Sequence, residues 1–143
     1  MEEDRLKRYW DKINLVSKRS DEIRKWTGIR SEDFIDDEKT KLATYKAFQE
    51  VVEASMDVVA MICKDLKIPP KDDYTNIKIL KTKISFDDTE KTLIEANGLR
   101  NRIVHRYNTM DDLLAFKSMK EILPEISKFI EGVKKWIRQG LKE

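Results

Sequence analysis

KLATYKAFQEVVEASMDVVAMICKDL, residues 41–66, places Leu42, Tyr45, Phe48, Val52, Met56, Val59, Cys63 and Leu66 at successive steps of three and four. Such steps return a side chain to the same side of a 3.6-residue turn, so these positions form one apolar stripe along an α-helix. The helix is predicted to begin near Asp36 or Asp37 and to stop at Pro69-Pro70, which lack the backbone donors that a helix needs. Upstream, Leu6, Tyr9 or Trp10, Ile13, Val16, Ile23 and Trp26 repeat the pattern and predict a helix over Glu3 to Trp26, ended near Gly28. Ser31-Glu-Asp-Phe-Ile between the two reads as a turn or one short helical segment.

Downstream the pattern weakens and then returns. Lys71 to Ile84 is polar and short of periodicity, although Ile77, Leu80 and Ile84 suffice to pin a short helix on a core. Ser85-Phe-Asp-Asp has a serine cap with an acid three residues on, and a helix is expected from there to about Arg106 through Leu93, Ala96, Leu99, Ile103 and Val104. Thr109-Met-Asp-Asp repeats the signal ahead of Leu113, Phe116, Met119, Ile122, Ile126, Phe129, Ile130, Val133, Trp136 and Ile137. Pro124 inside this last segment predicts a kink or a break, because it removes a donor and crowds the carbonyl of Lys120. The expected fold is all-α: an up-and-down four-helix bundle with an additional short helix, in a single domain over residues 1–143.

Composition narrows the functional classes. A chain of 143 residues suits one domain with a sizeable core. The only cysteine, Cys63, excludes an intrachain disulfide and a Cys-rich zinc site, and it suits a reducing compartment. With 29 Lys+Arg against 27 Asp+Glu the net charge is +2, too balanced to announce a nucleic-acid partner, so any phosphate binding must be local. No apolar run approaches the ~18 residues of a membrane span, and MEEDRLKRYW is unlike a signal peptide. A cytoplasmic protein without membrane contact is expected.

The single histidine, His105, excludes di-iron carboxylate and two-histidine zinc sites, so no metal is expected. Around it, Asn97-Gly-Leu-Arg-Asn-Arg-Ile-Val-His-Arg-Tyr107 holds three arginines and no acid. On a helix, Asn101 and Arg102 share a face with His105, whereas Arg100 lies about 140° away and joins the imidazole only by reaching or from a partner chain. Arginine grips phosphate with a fork of donors, and histidine can take and give a proton near neutral pH. The plain alternative is a histidine that favours a helix C-terminus, with arginines facing water.

Arg100, His105 after four intervening residues, and Tyr107 after one more intervening residue resemble the signature of the HEPN superfamily, and in detail that of HepT-type toxins of prokaryotic toxin–antitoxin pairs. The likeness runs from about Ser31 to Trp136 and takes in Lys41-Leu-Ala-Thr, the Glu53-x-x-x-Asp57 stripe, the proline-containing loop and Leu99-Arg-Asn-Arg-Ile-Val-His-Arg-Tyr107. A lysine-rich Asp73 to Lys83 and the interrupting Pro124 depart from it. The resemblance implies a metal-independent RNA endonuclease without cofactors, working as a homodimer whose motifs meet across the two-fold axis. It also implies a nucleotidyltransferase (MNT-type) antitoxin that silences the toxin by adding AMP to Tyr107, which is taken to be exposed beyond a helix end. On that footing His105 transfers protons, Arg100 clamps the phosphate, Asn101 orients the imidazole, and Arg102 and Arg106 hold flanking phosphates. Glu53 and Asp57 brace Arg100 or His105, and Lys78, Lys81 and Lys83 extend the RNA path or sit in an exposed loop. Trp10, Trp26, Trp136 and Phe129 belong to the core or a dimer seam. The rival reading is a non-catalytic helical module that binds a nucleotide or docks the transferase.

Overall fold

The computed structural model describes residues 2–83 and 89–140, and every regular element in them is helical. These elements are α1 (Glu3–Trp26), α2 (Ser31–Asp36), α3 (Glu38–Asp65), α4 (Asp73–Lys83), α5 (Thr89–His105), a 3₁₀ turn (Tyr107–Thr109) and α6 (Asp112–Gly140). Two short helices, α2 and α4, stand where one was expected. The helix start predicted at Ser85-Phe-Asp-Asp, and Ile84 before it, lie outside the described residues.

Helix α3 starts at Asp37, whose carboxylate accepts from the Thr40 backbone N–H at 3.1 Å and the Thr40 hydroxyl at 2.7 Å. Those bonds, the hydroxyl's foremost, hold the Asp37 carboxyl below its usual range. At the other end Pro69-Pro70 follow the stop and do not make it. The Ile68 N–H reaches back to the Cys63 carbonyl and the Lys67 N–H to that of Lys64, both at 2.9 Å, closing a Schellman turn with Lys67 at φ 61°. This left-handed position lacks the glycine that usually occupies it.

Helix α3 packs against α1, α2, α4, α5 and α6, most extensively against α1. Its buried surface is therefore broader than one stripe: Val51, Ala54, Val58 and Ile62 are buried along with Phe48, Val52, Met56, Val59 and Cys63. Leu42 and Leu66, at the ends of the predicted stripe, are exposed. Phe129 is fully buried, whereas Trp10, Trp26 and Trp136 are half-buried against the core, Trp136 edge-on to Tyr9 at 5.9 Å. Burial pushes the Cys63 thiol pKa up, as befits a core residue.

The Lys71–Lys83 region is ordered by a few anchors and is no loop. Asp72 accepts from the Thr75 N–H and hydroxyl, both at 2.9 Å, and buried Asn76 exchanges two bonds with the Lys71 backbone, at 2.7 and 3.1 Å. Ile77 and Leu80 then face the core. Glu90 pairs with Lys81 at 2.7 Å and with Lys78 at 4.0 Å, and the Lys81 contact draws the Glu90 carboxyl below its usual range. Helix α6 runs through Pro124 without the anticipated break. Pro124 and Lys120 both face solvent, so the carbonyl deprived of its donor lies on the wet side of the helix.

Candidate functional site

The Arg-rich block occupies the end of α5. Leu93, Ala96, Leu99 and Ile103 bury one face of that helix, which turns Asn101, Arg102 and His105 to solvent. His105 is the last residue of α5, and among the described residues no hydrogen bond or ion pair engages its imidazole. Its neighbour Val104 is 42% exposed, although the sequence pattern assigned it to the core.

Arg100 leans the other way, towards α3 and α4, and only 20% of its side chain is exposed. Its Nη1 donates to Asn101 Oδ1 at 2.8 Å. Its Nε lies 3.9 Å from Glu53 Oε1 and its Nη2 3.8 Å from Asp73 Oδ2, close enough for ionic attraction and too far for hydrogen bonds. The Nε is buried without a hydrogen-bond acceptor, so the guanidinium is centred between two carboxylates with donor capacity unspent. Glu53 is itself steadied by the Gln49 amide at 2.9 Å.

Two expectations change at this point. Asp57 does not brace Arg100 or His105: one helical turn beyond Glu53, it points to α1 and pairs with Lys12 at 2.8 Å. Asn101 spends its side-chain amide oxygen on Arg100, and no side-chain hydrogen bond joins it to the His105 imidazole among the described residues. Asp73, which carried no distinguishing mark in sequence, supplies the second carboxylate beside Arg100. Arg102 and Arg106 line a cleft of about 250 Å³ between α5 and α6 together with Leu99, Met110 and Leu114.

Tyr107 is less free than its place beyond the helix suggested. It begins the 3₁₀ turn, is half-buried, and sets its ring edge-on to Tyr45 of α3 at 5.9 Å. Its hydroxyl donates to Glu38 Oε1 at 3.1 Å. Glu38 Oε2 meets Lys41 Nζ at 3.1 Å, Lys41 meets Asp112 Oδ2 at 3.1 Å, and Asp112 Oδ1 accepts from the buried Tyr45 hydroxyl at 2.5 Å. The chain of contacts thus returns to the ring that supports Tyr107. Burial, then the Glu38 bond, pushes the Tyr107 phenol above its ordinary pKa. Burial works against the Lys41 charge, but the bonds to Asp112 and Glu38 outweigh it and hold that ammonium above its usual range. The four-residue step from Lys41 to Tyr45 could have flagged a shared face; nothing local pointed to Asp112.

Among the described residues no cluster of three or more His, Cys, Asp or Glu side chains could hold a metal ion, and no helix is long and apolar enough to cross a membrane.

A family model described as Ribonuclease HepT-like matches residues 16–133. A protein of Archaeoglobus fulgidus named "Putative RNase" is 41% identical over 83 residues, which is 57% of this chain and 63% of the relative. The "tRNA nuclease HepT" of Aphanizomenon flos-aquae is 24% identical over 130 residues, 88% of this chain and 87% of that one. Among solved structures, the tri-AMPylated HEPN toxin of Shewanella oneidensis in complex with MNT antitoxin superposes with a TM-score of 0.82 at 20% identity, over 94% of this chain and 99% of the other.

Proposed function

The chain belongs to the Ribonuclease HepT-like family, and from that premise we propose that it is a metal-independent RNA endonuclease toxin acting as a homodimer in the cytoplasm. The observation that carries this reading is the state of its two motif side chains: the His105 imidazole is exposed and makes no side-chain hydrogen bond or ion pair among the described residues, and Arg100, five residues earlier on the same helix, keeps its Nε donor unspent. A single imidazole cannot both remove the proton of a ribose 2′-hydroxyl and protonate the departing 5′-oxygen in the same encounter. Two chains related by a two-fold axis supply two. One His105 takes the 2′-hydroxyl proton, the 2′-oxygen attacks phosphorus, the 5′-oxygen leaves with a proton from the other His105, and Arg100 stabilises the charge on the pentacoordinate phosphate. Exposed Val104 beside the imidazole, with exposed Leu42, Leu113 and Leu114 on the adjoining helix starts, provides apolar area for a second copy. Arg102 and Arg106 grip flanking phosphates from their cleft.

The partner in this reading is a nucleotidyltransferase antitoxin that adenylylates Tyr107. The Shewanella oneidensis complex, a tri-AMPylated HEPN toxin with MNT antitoxin, supports it. A phosphodiester two residues from His105 would hold negative charge where RNA phosphate must enter. The test is cleavage of RNA by the purified chain in EDTA, with the ends mapped. Products ending in 2′,3′-cyclic phosphate, lost with His105→Ala and unaffected by chelation, are expected. Undiminished cleavage by His105→Ala would overturn the mechanism, and an inert wild-type chain that still binds RNA or the transferase would leave only a binding module.

A further inference from the structure

We propose that Glu38 is the base that takes the Tyr107 proton when the tyrosine oxygen is adenylylated, an assignment that rests on the reading of Tyr107 as the modified residue. The Tyr107 hydroxyl already donates to Glu38 Oε1 at 3.1 Å, so the proton that must leave points at a carboxylate before any partner arrives. The second oxygen of Glu38 is held by Lys41, and Lys41 in turn by Asp112, which fixes the direction of the accepting oxygen. Asp112 cannot compete for the role, because its oxygens are occupied by Tyr45 and Lys41. The Lys41 side chain is 12% exposed and that of Glu38 65% exposed, so the bracing lies inside and the reacting pair faces outwards, where a transferase can approach.

The need for a base follows from the same surroundings. Partial burial and the bond to an acceptor both resist loss of the phenol proton to water, so an unassisted phenolate is scarce. In the step itself a bond forms between the Tyr107 oxygen and the α-phosphorus of a nucleoside triphosphate. The bond from that phosphorus to the bridging oxygen breaks, pyrophosphate departs with the electron pair, and the proton passes to the Glu38 carboxylate. The product carries a phosphodiester anion next to the residue that accepted the proton. Protonation spares the pair a like-charge contact at that moment, and later ionisation of Glu38 pushes the modified tyrosine away from it.

Glu38→Gln separates basicity from shape, since the amide oxygen still accepts the hydroxyl bond but does not take its proton. The full-length chain, its transferase and ATP are mixed, and AMP on Tyr107 is followed by mass spectrometry at saturating transferase. Glu38→Gln is expected to slow modification by roughly 100-fold or more, the span of general-base catalysis, with an unchanged melting transition, and Glu38→Asp to recover part of the rate. Equal rates for wild type and Glu38→Gln overturn the assignment. So does a deficit that vanishes once the transferase saturates, which would make Glu38 a docking contact. Failure of the wild-type chain to be modified at all removes the reading on which the assignment stands.

Discussion

Replacing Tyr45 with Phe removes one hydroxyl from the network that seats the motif tyrosine and leaves the ring between Phe34, at 6.2 Å, and Tyr107, at 5.9 Å. The side chain is 2% exposed and its hydroxyl donates to Asp112, whose other oxygen keeps Lys41 at 3.1 Å. A hydrogen bond to a charged acceptor contributes about 1.5–3 kcal/mol. Because Asp112 retains a partner, the lower part of that range applies, roughly 1.5–2 kcal/mol. At about 4 °C per kcal/mol for a chain of this size, the melting temperature should fall by roughly 6–8 °C.

A second signature comes from pH. Burial, followed by the bond to Asp112 and its charge, raises the folded-state pKa of Tyr45 well above its unfolded value near 10. A raised folded pKa means that the contribution is fully present below pH 10. It is lost as pH climbs beyond 10, because only the unfolded chain then releases this proton. The loss is about 1.4 kcal/mol per pH unit, and phenylalanine does not share it. Urea unfolding at pH 8 and pH 11 should therefore show the gap between wild type and variant shrinking by about 1.4 kcal/mol. The raised pKa of Tyr9, which donates to Asp65, affects both proteins and cancels. A variant as stable as wild type at pH 8, or a gap that stays constant with pH, would refute the reasoning.

Two further outcomes follow from other parts of the molecule. Arg100→Lys keeps the charge between Glu53 and Asp73 but loses the fork, so RNA cleavage should drop by about 100-fold or more while the urea midpoint moves little; comparable cleavage would deny Arg100 its clamp role. Lys67→Gly removes a Cβ from a left-handed position at φ 61° and should stabilise the chain by about 1 kcal/mol in the same unfolding assay.

How far the sequence carried is clearest element by element. The apolar period announced α1, α3, α5 and α6, because steps of three and four are a local property of one helix. It overreached at Leu42, Leu66, Val104 and Leu113, which keep the period but sit near helix ends where no neighbour covers them. It fell short at α4, where two apolar anchors and the Asn76 side chain replace a long stripe.

The single histidine, its spacing from Arg100 and Tyr107, and the exposure of the face between them were legible in the chain itself, since all lie within one helix and its exit. The company of those residues was not. Glu53 and Asp73 flank Arg100, Asp57 turns to Lys12, and Glu38 reaches Tyr107 from 69 positions away. Such pairs are set by which helix faces α3 presents to its neighbours. Contacts between elements leave no period in the sequence, so only the packed helices decide which carboxylate meets which cation or hydroxyl.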